Sequence, residues 1–279
     1  MKVRIIVDST ADLMPQVKNR VLTVPLTVHF GDEEYIDGVT ITHTQFYEKL
    51  VESDVMPSTS QAAPAAFEEI FAQIREAGES AVVITVASQL SGTYQSACIA
   101  ADDFPNIFVV DSGTVAIGAG ILVERALQLV EEGLDAAAVA QTLQQEKEKI
   151  RIVALLDTLE YLKRGGRISK TMAFAGGLLN IKPVVAVKDG VILMLGKARG
   201  SKQGNNLLVT QIQEAGGVDF SRPLLLGYTG LSDTLLKKYM QDSSALWESG
   251  VDTLRYTLIG SVIGTHAGPG AIAVAFFKK

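Results

Sequence analysis

The side chains best suited to chemistry in this chain are hydroxyls grouped at the ends of apolar runs, together with one histidine among glycines. Ser91, Gly92 and Thr93 follow Val82–Val86 within the stretch Ala81–Ala100, AVVITVASQLSGTYQSACIA. The β-branched run reads as a buried strand, and the segment from Thr93 to Ala100 is helix-compatible. A strand, a hydroxyl-rich turn and a helix N-terminus make a site for a carboxylate or phosphate, because free N–H groups and the helix dipole favour negative charge there. Ser91 and Thr93 also fit the simpler role of capping their own helix. Ser9-Thr10 after Val3–Val7 and Ser112–Thr114 after Ile107–Val110 repeat the pattern, and Thr59 and Ser60 add a fourth group before a helix. His266 stands in the glycine-rich segment GTHAGPG, which reads as a loop whose backbone can approach a ligand closely. A serine and an imidazole also admit nucleophilic catalysis, with Ser91, His266 and Asp111 as the available set.

These groups need elements to carry them. Apolar periodicity predicts helices over Thr42–Glu52, Pro64–Ala77, Ala116–Glu132 and Leu134–Lys149. Leu22–Phe30 reads as one apolar strand, Glu34–Val39 as another, and Pro57–Gln61 as a loop. Strands alternating with helices imply a parallel sheet covered on both faces, with ligands outside the carboxyl ends of its strands. Beyond residue 148 the pattern changes. Thr158–Lys163 is helix-like and is broken by Arg164-Gly165-Gly166-Arg167, and Leu179–Val187 pairs with Val191–Leu195 around Asp189-Gly190. Leu224–Tyr228, Thr253–Leu258 and Ala271–Phe277 read as strands and Asp233–Gln241 as a helix. The expected fold is α/β: an N-terminal parallel-sheet domain over 1–148, and an α+β domain over 149–279 with a mixed or antiparallel sheet.

Composition narrows the function classes. Of 279 residues 47% are hydrophobic and 20% charged, enough for a substantial core. A net charge of −6 argues against a nucleic-acid partner. No apolar run reaches the roughly 18–20 residues of a transmembrane segment, and MKVRIIVDST meets Asp8 too early for a signal peptide, so a soluble cytoplasmic protein is expected. One cysteine gives no disulfide framework, and His29, His43 and His266 are too scattered for zinc, so no metal is expected. Gly190–Lys197 misses the Walker spacing, Gly264–Gly270 misses the dinucleotide fingerprint, and Ser91 lacks a Gly-x-Ser-x-Gly elbow.

Taken together, VDSTADL, PSTSQ, SQLSGTYQSA, VDSGT, LEYLKRGGRIS, LNIKPVVAVKDG and GTHAGPG follow one another in an order that resembles the DegV family over essentially the whole chain. Within it, the chain is similar to the fatty-acid-binding subunits of bacterial fatty acid kinases. That resemblance implies a long-chain fatty acid held between two domains, with its tail in an apolar tunnel. Thr59, Ser60, the Ser91-Gly92-Thr93 turn and His266 would surround the carboxylate, and a separate ATP-dependent kinase would convert it to an acyl phosphate. The chain itself would then be no enzyme and need no cofactor; the alternative is a serine-dependent lipid or ester hydrolase using Ser91. Hydroxyls without a buried arginine would leave the carboxylate nucleophilic, and His266 would offset the charge of the product. Lys197, Arg199 and Lys202, with Arg164 and Arg167, would form a kinase-docking face, though a sparser one than relatives carry. Ala173, Phe174, Ala175, Leu178 and Leu179 fit either a tunnel wall or ordinary core.

Overall fold

A computed structural model describes residues 2–168, 181–247 and 254–279. The first part of the chain supplies β1 (Val3–Asp8), β2 (Leu22–Val24), β3 (Thr27–Phe30), β4 (Glu33–Ile36), β5 (Ser58–Ser60), β6 (Ser80–Thr85) and β7 (Ile107–Asp111). Four of these form a parallel sheet in the order β2-β1-β6-β7, with Ile5 opposite Val82 and Val82 opposite Phe108. Every residue of β6 is buried, as an unbroken apolar run requires of a strand covered on both faces. Successive side chains point to opposite faces. Val82 and Ile84 therefore join Ile121, Val139 and Leu143 from the helices Ala116–Glu131 and Ala136–Glu146. Ala81 and Val83 join Phe67, Phe71 and Ala97 from the helices Pro64–Glu76 and Thr93–Ala101.

The run Leu22–Phe30 is two strands in two sheets rather than one. Pro25 has no N–H for a ladder, and the chain leaves the parallel sheet there. β3 then pairs with β4 and β5 in a three-stranded antiparallel sheet, order β4-β3-β5. Thr59 lies opposite Val28 and Ser60 opposite Thr27, so the segment expected to be a hydroxyl loop at a helix start is an edge strand.

The second sheet begins at Ile150, after a single 3-10 turn at Lys147–Lys149. It contains β8 (Ile150–Leu155), β9 (Ile181–Lys188), β10 (Val191–Arg199), β11 (Leu224–Tyr228), β12 (Tyr256–Leu258) and β13 (Ile272–Phe277), in the order β10-β9-β8-β13-β11-β12. All its neighbours are antiparallel except β11 and β12. Asp189 and Gly190, at φ 53° and 75°, make the tight hairpin turn between β9 and β10 that Asp-Gly favours. The Ala116–Glu131 helix lies between the two large sheets, so Ile5 and Val7 of β1 share one core with Ala273, Ala275 and Phe277 of β13.

Two elements depart from expectation. GTHAGPG is a loop only in its second half: Gly264–Ala267 belong to the helix Ser261–Ala267, which carries His266 and stops where Gly268 turns to φ 71°. The basic run after the hairpin divides between β10 and a further helix, Gly200–Glu214. The apolar run containing Ala173, Phe174, Ala175, Leu178 and Leu179 lies outside the described residues.

Candidate functional site

The two large sheets meet around a cavity of about 420 Å³. Its apolar wall comes from one face of the second sheet: Ile152 and Ala154 of β8, Val185 and Val187 of β9, and Ala273 of β13. The opposite face, with Val153, Leu155, Val184 and Val274, packs against the Gly200–Glu214 helix side of that sheet. The register sets Ala273 beside Ala154 and Ala154 beside Val185. Small side chains in adjacent strands leave volume that larger residues would fill. Leu26, Val86, Val115 and Ala116 close the cavity from the first sheet, and Val262, Ile263 and Ala267 from the His266 helix.

Polar groups gather on part of this wall. Ser91 and Gly92 sit at the start of the Thr93–Ala101 helix, and Thr59, Ser60 and Gln61 come from β5 and the residue after it. Ser91 Oγ accepts from the Thr93 N–H at 3.2 Å and shares a hydrogen bond with Thr93 Oγ1 at 2.9 Å. Capping and facing the cavity are thus compatible roles for Ser91. Thr93 itself is buried behind the wall, where its hydroxyl also accepts from the Ala62 N–H at 3.4 Å; it supports Ser91 rather than lining the site. A Cβ at Gly92 would collide with the Gln61 amide, which donates to Ser96 Oγ at 3.0 Å. Ser60 Oγ, more exposed, pairs with His29 Nε2 at 2.9 Å.

His266 Nε2 and Thr59 Oγ1 are 3.0 Å apart. Burial, and then the Arg167 guanidinium, pull the imidazole down to about 4, so at neutral pH it meets Thr59 uncharged. His266 Nδ1 has no hydrogen-bond partner among the described residues and packs where a Cβ on Gly165 would collide with it. Asp8, fully buried, ties the site's edges together: it accepts from the Thr10 N–H and hydroxyl at 2.9 and 2.6 Å and from the Val86 N–H at 2.6 Å. Its burial raises the carboxyl above the ordinary aspartate value.

Arg167 is the principal correction to the sequence reading. It lines the cavity instead of joining an outer basic face, so the site does contain an arginine. The Glu160–Arg164 helix ends in a Schellman turn, with the Gly166 N–H on Lys163 O at 3.1 Å and the Arg167 N–H on Leu162 O at 3.0 Å. Gly166, at φ 70°, redirects the chain so that Arg167 Nε reaches Leu90 O at 3.3 Å. Arg164 stays exposed and pairs with Glu160 at 2.7 Å, while Lys197, Arg199 and Lys202 are exposed at the end of β10 and the start of the following helix. Two glycines between two arginines were the available signal that these arginines part company.

The hydrolase arrangement is not assembled. Ser91 Oγ bonds Thr93, His266 bonds Thr59, and Asp111 Oδ1 accepts from the Ser88 and Gly113 N–H groups at 3.2 and 2.9 Å. Asp111, Ser112 and Thr114 line a separate polar cleft of about 320 Å³ with Lys147 and Lys188. The hydroxyl loops expected to share one edge therefore serve two cavities. Among the described residues no cluster of metal-ligating side chains occurs, and no helix is long and apolar enough to cross a membrane.

A largely apolar cavity with hydroxyls, an imidazole, an arginine and a helix N-terminus on one part of its wall suits an amphiphilic anion. The model of the DegV family, described as uncharacterised proteins, matches residues 2–279, and the chain belongs to that family. It is 34% identical to a DegV domain-containing protein of Caldanaerobacter subterraneus subsp. tengcongensis, across 100% of this chain and 99% of that one. Among solved structures it resembles a fatty-acid-binding DegV family protein from Thermus thermophilus, at TM-score 0.88, 31% identity and coverage of 99% and 100%. It also resembles a stearic-acid-binding protein from Eubacterium ventriosum, at TM-score 0.87, 28% identity and coverage of 99% and 98%.

Proposed function

We propose that this protein binds a long-chain fatty acid, its tail along the Ala154–Ala273 wall and its carboxylate at Ser91, Thr59, His266 and Arg167. The observation that carries the reading is the cavity itself, apolar over most of its wall and polar where the Thr93–Ala101 helix begins. Burying a methylene contributes roughly 0.8 kcal/mol, so a long tail supplies on the order of 10 kcal/mol before the costs of binding. The head needs only to be oriented and its charge compensated. Arg167 supplies the positive charge, and the imidazole, uncharged at neutral pH and so unable to offset the charge of the product as was expected of it, completes the hydrogen bonding with the hydroxyls. The similar solved structures, one described as a fatty-acid-binding DegV family protein and one as a stearic-acid-binding protein, support the same choice of ligand.

With Arg167 in the site the carboxylate is held by a cation after all, so in this reading one of its oxygens is left free of the guanidinium to serve as the nucleophile for a partner kinase. One carboxylate oxygen attacks the γ-phosphorus of ATP brought by that partner, the bond to the ADP oxygen breaks, and acyl phosphate and ADP result. Exposed Arg164, Lys197, Arg199 and Lys202 are the candidate docking groups on an otherwise acidic protein. Titration with palmitate tests the binding step. Ser91→Ala is expected to weaken affinity roughly tenfold through loss of a charge-assisted hydrogen bond; unchanged affinity would remove Ser91 from the site.

A further inference from the structure

His266 is held by a short helix whose first residues are gripped from the other end of the chain. The Gly260 N–H, directly before the Ser261–Ala267 helix, donates to Asp12 Oδ1 at 2.7 Å. One residue earlier, Ile259 O accepts from Tyr47 Oη at 2.9 Å. His43 packs against the same point: a Cβ on Gly260 would stand 2.9 Å from His43 Nε2 and 3.1 Å from Asp12 Oδ1. Asp12 and Tyr47 are both buried, at 3% and 0% exposure, so these bonds are shielded from competing water. Phe46 and Tyr47 also pack where a Cβ on Gly264 would lie, one turn further along the helix.

We propose that Asp12 and Tyr47 are positioning residues: by fixing Ile259 and Gly260 they set the height and rotation of the helix, and so the place of His266 at Thr59. The two grips oppose each other in kind. Asp12 accepts from an N–H and Tyr47 donates to a carbonyl of adjacent residues, which fixes the peptide direction as well as its location. A seven-residue helix, Ser261–Ala267, has few bonds of its own to resist rotation. Glycine at 260 is what lets His43 and Asp12 close on the backbone. Asp12 thus gives the VDSTADL segment a task at a distance from the hydroxyls it was noticed for.

The proposal rests on the fatty-acid reading only in its affinity arm. The test is NMR of the His266 ring in labelled full-length protein, with palmitate titration alongside, for Asp12→Ala and Tyr47→Phe. Tyr47→Phe removes one hydroxyl and keeps the aromatic packing, so it reports even where Asp12→Ala does not fold. Expected are displaced His266 ring resonances in both variants and a several-fold to roughly tenfold loss of palmitate affinity. That loss should vanish when the same substitution is made in a His266→Ala background, because a positioning residue acts only through the residue it positions. His266 resonances unmoved in Tyr47→Phe, or an equal loss of affinity in both backgrounds, would overturn the proposal. A wild-type protein that takes up no palmitate would sink the ligand reading, and the ring resonances alone would then decide the positioning role.

Discussion

At the scale of the residue, the consequential fact is that His266 and Arg167 share one wall while only one of them is charged at neutral pH. A guanidinium is the better buried cation because it stays ionised and presents several donors to a carboxylate. Its field, after desolvation, holds the imidazole near 4. Arg167→Gln should therefore raise the His266 pKa, which a ring-proton titration by NMR would read; an unchanged or lower value would place the guanidinium elsewhere. A second consequence follows from proton linkage. The folded imidazole titrates near 4 and the unfolded one near 6.5, so the folded state binds fewer protons between those values. The stability His266 contributes is present above 6.5 and is lost as pH falls through about 4, with a span of about 3 kcal/mol. Buried Asp8 and Asp12, with raised pKa values, act oppositely, their contribution being lost as pH rises through their folded values. Comparing the melting of wild type with His266→Gln from pH 7 to 4 cancels the aspartates. The wild-type advantage should shrink steadily towards pH 4, and a constant difference would contradict the neutral imidazole.

At the scale of the element, glycines decide how near the working side chains come. Gly165 ends the Glu160–Arg164 helix where a Cβ would collide with the His266 ring and lie 3.2 Å from Tyr161 O. Gly165→Ala should cost about 1–3 kcal/mol of stability and weaken palmitate binding by displacing the ring; a melting point and affinity equal to wild type would show that the ring has room. The same elements show what a sequence can and cannot disclose. Ser80–Thr85 and the helix after Gly92 were legible because burial on both faces and a small-residue turn leave local signatures. The edge strand Ser58–Ser60 was not, since three polar residues pair only because β3 lies alongside. His266 looked like a loop residue because three glycines outweighed Ser261–Ile263 in any propensity argument, yet Phe46 and Tyr47 supply the packing that makes the helix. Gly200–Glu214 carries Gly200, Gly204 and Asn205, and Gly204 is there because its helix packs against Leu155, a reason visible only in three dimensions.

At the scale of the molecule, two sheets share the Ala116–Glu131 helix and leave a cavity on the face where they meet. The arrangement was legible as a parallel sheet followed by a mixed one. The cavity was not, because Ala154 and Ala273 become neighbours only through the β8–β13 register. Its volume makes a clear prediction. Ala154→Leu adds three heavy atoms, Cγ and two Cδ, to existing space, so the fold should lose no more than about 1 kcal/mol of stability, whereas palmitate uptake should be lost. Uptake at wild-type affinity would mean that the tail does not lie along this wall.

The central claim is that the cavity holds a long-chain carboxylate, and native mass spectrometry of the purified protein addresses it most directly. The account predicts a mass excess lost on denaturation, matched after extraction by one long-chain fatty acid per chain. A protein that carries no such lipid and takes up neither palmitate nor oleate when they are added would contradict it.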